Sequence, residues 1–188
     1  MNRNQLYKEI LVVVFLCFIT NLDAIVHKPN DKAESIILEI HGKERTYYEL
    51  DNDGLRYNNI GKQFNSGDSI QVGIHTRTIK APTGKKKRNY GFKVQINDEA
   101  TFELKYKKEG SGVTSPDRPG WNYTQSGKWY IYLPVKEKNY TMKIIPLKGN
   151  PIVYVRLTSN LITKDGSYGD IIQTVNRQNR VDIIFCLY

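Results

Sequence analysis

Apolar side chains recur at every second position along most of this chain. Between Ser69 and Ile79, Ile70, Val72 and Ile74 share one face, while Gln71, Gly73 and His75 share the other. The same alternation groups Phe92, Val94 and Ile96 in Tyr90–Ile96, and Phe102, Leu104 and Tyr106 in Thr101–Lys107. A period of two places alternate side chains on opposite sides of an extended backbone, which marks half-buried β-strands. Further strands are expected at Ser35–Ile40, Arg45–Leu50, Lys128–Leu133, Tyr140–Ile145, Ile152–Ser159, Ile171–Val175 and Val181–Leu187. From residue 25 onward, no segment sustains the 3.6-residue period of a helix.

The breaks between these runs carry turn chemistry. Asn97-Asp98-Glu99 reads as a hairpin loop, and Asp51-Asn52-Asp53-Gly54, Lys148-Gly149-Asn150-Pro151 and Lys164-Asp165-Gly166 read as turns. Gly and Asn supply the positive φ that such turns need. About ten short strands with frequent turns and no internal repeat predict an all-β fold. The expected form is an antiparallel, jelly-roll-like β-sandwich, with a closed β-barrel as the second choice.

The N-terminus sets the expected compartment. Arg3 and Lys8 precede an unbroken apolar run from Ile10 to Ile19, and Ala24 is a small residue suited to cleavage. That order is the one of a secretory signal peptide. Ten apolar residues fall well short of the ~20 that span a bilayer, so no transmembrane segment is expected. The reading is signal peptide 1–24, short polar leader 25–34 and one domain from 35 to 188. Removing residues 1–24 from 188 leaves 164, enough for one real core.

Lys and Arg total 28 against 19 Asp and Glu, a net charge of +9. The signal segment holds two residues of each sign (Arg3 and Lys8, Glu9 and Asp23), so the remainder keeps that surplus. A basic exported protein favours anionic partners outside the cell: sulfated glycans, acidic lipid headgroups, acidic protein surfaces or extracellular nucleic acid. Export argues against intracellular nucleic acid. Of the two cysteines, Cys17 lies in the signal. Cys186 is thus left without an internal partner, to act as a buried thiol or to bridge to another chain. The sequons Asn122-Tyr123-Thr124 and Asn139-Tyr140-Thr141 are candidate glycosylation sites.

Two features could carry recognition. Gly84-Lys85-Lys86-Lys87-Arg88 lies between two strands and should form an exposed hairpin tip. Clustered Lys and Arg engage sulfate or phosphate, Arg bidentately and Lys as a point charge. Lys105, Lys107 and Lys108 extend the patch if their strand pairs with the one leaving the tip. The same tip could instead be solvated loop or a proteolytic site. The second feature is the aromatic group Trp121, Tyr123, Tyr130 and Tyr132. In Lys128–Leu133, Trp129, Ile131 and Leu133 take one face, and Tyr130 and Tyr132 the other. Rings facing solvent can stack on sugars or anchor a protein contact. Trp121 stands out because it ends a Pro- and Gly-rich connection, Glu109–Gln125, too long to be a simple turn.

Catalytic signals are weak. Asp51-Asn52-Asp53-Gly54 resembles the start of a calcium loop but lacks the later carboxylates, and Asp165 with Asp170 reads no better. His27, His41 and His75 are scattered without zinc spacing. There is neither a Gly-x-Ser-x-Gly elbow nor a His-Glu-x-x-His helix. The expectation is therefore no enzyme, no cofactor and no metal. The favoured role is a secreted binding module for anionic or complex glycans, using Lys85, Lys86, Lys87 and Arg88 for charge and Trp121, Tyr123, Tyr130 and Tyr132 for stacking. The alternative is a secreted protein-binding ligand or effector.

Overall fold

The structure, a computed structural model, describes residues 24–30, 32–83, 85–136 and 139–162. The strands are β1 (Ile25–His27), β2 (Ser35–Ile40), β3 (Lys43–Leu50), β4 (Leu55–Ile60), β5 (Ser69–Thr78), β6 (Lys87–Ile96), β7 (Ala100–Glu109), β8 (Gly127–Pro134), β9 (Tyr140–Pro146) and β10 (Val153–Ile162). They form two antiparallel sheets. The larger runs β2-β3-β10-β5-β8, with β1 also paired to β10, and the smaller runs β4-β9-β6-β7. The all-β, two-sheet expectation holds, and the closed barrel is overturned because each sheet stops at free edge strands. Among the described residues no helix is long and apolar enough to cross a membrane. The expected signal segment up to residue 23, Cys186, Asp165, Asp170, the Lys164–Gly166 turn and the strands at 171–175 and 181–187 lie outside the described residues.

The alternation seen in sequence becomes the core. Ile70, Val72 and Ile74 of β5 and Val153, Val155 and Leu157 of β10 face Phe92, Val94 and Ile96 of β6 and Met142 and Ile144 of β9. All eleven are at most 5% exposed. Fully burying one such side chain is worth about 1.5–3 kcal/mol, so this layer drives the sheets together. Trp129 and Ile131 of β8 pack at its margin.

Two strands escape the simple pattern. Ile25–His27, expected in a polar leader, pairs with Leu157–Ser159 of β10. Strand β4 keeps Leu55, Tyr57 and Ile60 inward, but its register shifts between Tyr57 and Ile60. Asn59 there has φ 59°. A bulge of this kind inserts one residue and breaks the period of two.

Turns follow their chemistry. His41-Gly42, with φ of 52° and 70°, closes the β2–β3 hairpin. Asn97 and Asp98, at 51° and 60°, turn β6 into β7 as expected. Asp51 Oδ1 accepts from the backbone N–H of Asp53 (3.1 Å) and of Gly54 (3.0 Å). Its carboxylate thus ties the turn together.

The Glu109–Gln125 connection is a built element. It doubles back through Ser111 N–H to Tyr123 O (2.8 Å) and Tyr123 N–H to Val113 O (3.1 Å). Its outward stretch lies along the free edge of β2, with Glu39 N–H bonded to Thr114 O (3.0 Å) and Ile37 N–H to Asp117 Oδ2 (2.6 Å). Val113 and Tyr123 cover Ile36, Leu38, Ile40, Tyr47 and Tyr154, a second apolar cluster on the outer face of the large sheet. Arg77 donates to Thr124 O, and Arg118 pairs with Glu34 and Glu49 and donates to Tyr154 Oη (3.0 Å).

Gly54 has φ 83°, and a Cβ there would meet Ile144 O at 2.5 Å; Gly42, at φ 70°, faces open space. Gly42→Ala should cost about 1 kcal/mol and Gly54→Ala about 3 kcal/mol, read by urea denaturation. Equal losses would refute the close seating of the Gly54 turn on β9.

Candidate functional site

The basic tip occupies one end of the molecule. Lys85 and Lys86 are exposed in the β5–β6 connection, while Lys87 and Arg88 open β6. Strands β6 and β7 do pair, with Lys87 opposite Glu109, Asn89 opposite Lys107 and Gly91 opposite Lys105. Because Tyr90, Phe92 and Val94 point into the core, Lys87, Lys93, Lys105 and Lys107 share the outer face of the small sheet. Lys143 of β9 and Arg56 of β4, opposite one another, continue it. Carboxylates on this face are Glu103, bridged to Lys105 (2.8 Å), and Glu109, bridged to Lys87 (3.4 Å). Arg88 and Lys108 take the other side of the β6–β7 ribbon, Lys108 lying 5.5 Å from the Tyr106 ring centroid.

The tip also meets the base of the long connection. Lys80 N–H donates to Asn122 O (2.8 Å). Lys80 and Lys86 line a shallow hollow with Glu109, Gly110, Ser111 and Gly112. On its other flank, Lys85, Lys87 and Arg88 line a hollow with Pro82, Gly149 and Asn150.

The four aromatics are not brought together. Trp121 is 37% exposed, with the Arg118 guanidinium 4.9 Å from its ring centroid, so one face of the indole is already occupied. Tyr123 is fully buried, edge-on to Tyr154 at 5.6 Å, and its ring is closed to any ligand. The long connection needs a large apolar side chain there to cover the outer cluster. Tyr130 and Tyr132 are partly exposed on the outer face of the large sheet. They lie opposite Gly73 and Gln71, while the tip follows Thr78. Five residues at roughly 3.3 Å each put about 17 Å between Tyr130 and that end of the sheet. Asn122 is exposed and Asn139 partly so.

Around Tyr130 the structure assembles a polar face that single-strand reading missed. The registers place Arg156, His75 and Lys128 side by side across β10, β5 and β8. The next row is Thr158, Gly73 and Tyr130; the one after is Asn160, Gln71 and Tyr132. Arg77, on the same side of β5, is tied to the long connection through Thr124 O and Ser111 Oγ. Each strand shows its third of this face as alternation (Gln71, Gly73, His75 on β5). Pairing across the sheet is what joins the thirds.

Gly73 sets the local geometry. A Cβ there would come within 3.0 Å of Tyr130 Cε1, 3.0 Å of Thr158 Oγ1 and 3.1 Å of His75 Nε2. Without one, the Tyr130 ring closes over the backbone and meets His75 edge-on at 5.8 Å. Thr158 Oγ1 lies 3.3 Å from His75 Nε2, and Gln71 Nε2 donates to Tyr132 Oη (2.9 Å). Arg156 Nε and Asn160 Oδ1 are buried without a hydrogen-bond partner among the described residues. Burial pushes the His75 imidazole down to about 4, and Lys128, Arg156, Arg45 and Arg77 push the same way. Burial likewise lowers Arg156. None of these four cations is salt-bridged to a carboxylate among the described residues. Arg156 is the desolvated cation of this face, a cost that an anion beside it would relieve. Among the described residues no group of His, Cys, Asp and Glu could hold a metal ion.

The neutral His75 couples stability to pH. Between its ordinary value of 6.5 and about 4, the unfolded chain binds a proton that the folded chain refuses. Stability is therefore full above pH 6.5 and falls as pH falls through that window. From pH 7.5 to pH 5 this group should remove about 2 kcal/mol, a loss that His75→Asn should lack. Parallel denaturation curves for the two proteins at both pH values would disprove it.

No protein-family model matches the chain, and no curated protein matches it. Among solved structures it is similar to the CBM22-1 xylan-binding domain from Paenibacillus barcinonensis Xyn10C, at 7% identity over 75% of this chain and 96% of that one, TM-score 0.37. It is similar to CBM35 from Cellvibrio japonicus Abf62, at 12% identity over 75% and 99%, TM-score 0.35. A family GH115 4-O-methyl-α-glucuronidase with specificity for decorated arabinogalactans gives 16% identity and TM-score 0.42. This chain covers 77% of itself in that comparison but only 18% of the glucuronidase. At these scores each is a partial resemblance, and no ligand or activity passes from it to this chain.

Proposed function

We propose that the chain is a secreted, non-enzymatic binding module for anionic glycans, captured by the basic tip and the adjoining outer face of the small sheet. One observation carries this reading. Lys87, Lys93, Lys105, Lys107, Lys143 and Arg56 share a solvent-facing sheet surface with Glu103 and Glu109, next to Lys85 and Lys86. Apolar partners are scarce on that face, so its attraction is electrostatic. Regularly spaced cations suit a repeating polyanion better than a shaped apolar protein surface. The apolar N-terminal run and Ala24 support export, which puts sulfated and carboxylated glycans among the polyanions it would meet.

Binding of this kind weakens as salt shortens the Debye length from ~10 Å at 0.1 M. The protein should be retained on heparin and elute in a salt gradient. Replacing Lys85, Lys86, Lys87 and Arg88 with Ala should abolish retention at physiological salt. Thermal stability should barely change, since exposed ion pairs such as Lys87–Glu109 contribute about 0–1 kcal/mol. Retention unaffected by the four replacements would discard the reading.

A further inference from the structure

We propose that the outer face of the large sheet is a second, separate sugar subsite, one that takes a single pyranose bearing a carboxylate or a sulfate. The inference rests on reading the chain as a glycan-binding module, and places this subsite away from the basic tip.

The three rows divide the chemistry. In the middle, the Tyr130 ring is laid against the sheet because Gly73 has no side chain to hold it off. A phenol ring held in this way and partly exposed offers a face on which a sugar ring can stack. Neighbouring strands are about 4.8 Å apart, and same-face residues along a strand roughly 7 Å apart. A pyranose over Tyr130 and Gly73 therefore reaches both flanking rows at once. On one side stand Arg156, His75 and Lys128, with Arg45 close by, a cluster without an acidic partner among the described residues. On the other stand Asn160, Gln71 and Tyr132, neutral groups able to donate to and accept from sugar hydroxyls. Arg156 Nε and Asn160 Oδ1, without partners among the described residues, sit at those two ends. Buried polar atoms without partners are uncommon in folded proteins, and here one donor and one acceptor flank the same aromatic platform.

An uncharged sugar would satisfy the amide row and leave the cations as they are. A bare anion would meet the cations without using the ring. A sugar acid uses both, and this sets the selectivity.

The test is titration of the intact protein with methyl β-glucuronide, glucose 6-sulfate, glucose and inorganic sulfate, followed by calorimetry or NMR shifts. The two sugar acids should bind with dissociation constants of order millimolar, and glucose and sulfate about tenfold more weakly. Tyr130→Ala and Arg156→Gln should each weaken the sugar acids about tenfold, Tyr130→Phe should retain them, and Gly73→Ala should weaken them by displacing the ring. The Lys85, Lys86, Lys87 and Arg88 replacement should leave this binding unchanged. Full affinity in both Tyr130→Ala and Arg156→Gln overturns the proposal, as does glucose or sulfate binding as tightly as the sugar acids. Heparin retention with no glucuronide or glucose-6-sulfate binding removes this subsite alone. Binding of the sugar acids with no heparin retention removes the tip reading and leaves the subsite standing.

Discussion

The pairing of β5 with β10 at the centre of the large sheet is the constraint on which the molecule depends. The two strands run together over Ser69–Thr78 and Val153–Ile162 and are covered on both sides for much of that length. Their inner residues form the main core with the small sheet. Their outer residues cannot all be apolar, because only part of that face is roofed. Near Tyr154 the Glu109–Gln125 connection provides the roof, and the residues beneath it are apolar or, like Arg77, hydrogen-bonded to it. Farther along, the face opens and the residues turn polar: Arg156, Thr158 and Asn160 against His75, Gly73 and Gln71.

The charge surplus follows the same layout. On the small sheet the cations stand in water, and their effect reaches outward as a field that salt screens. On the large sheet Arg156 is partly desolvated, and it and Lys128 flank His75 at positions set by the sheet register. Charges in the first setting attract any polyanion, whereas charges in the second discriminate by position. The two surfaces are the opposite outer faces of one sandwich.

Much of this was legible from residue order, and the exceptions have physical causes. The strands at Ser35–Ile40, Tyr90–Ile96 and Thr101–Lys107 appear where alternation puts them. Strand β4 was missed because the bulge at Asn58-Asn59 puts two polar residues in succession and resets the phase. Strand β1 was missed because three residues are too few to show a period. Grouped in sequence with Trp121 and the other aromatics, Tyr123 is expected to offer a ring for stacking. It is buried because the whole connection folds back over Ile36, Leu38 and Ile40, whose own alternation gave no hint that a roof was needed.

Residue order alone determined the class of fold and the presence of a basic tip, because side-chain alternation and turn chemistry act between neighbours in the chain. It also showed that Tyr130 and Tyr132 face away from Trp129 and Ile131. It did not show that Tyr130 lies across Gly73, or that Arg156 stands beside His75, since those pairs are separated by 57 and 81 positions and meet only through strand register. Register is decided by how the inner apolar rows interlock between the two sheets. The polar face outside is carried along by that packing, and so only the tertiary structure could assemble it.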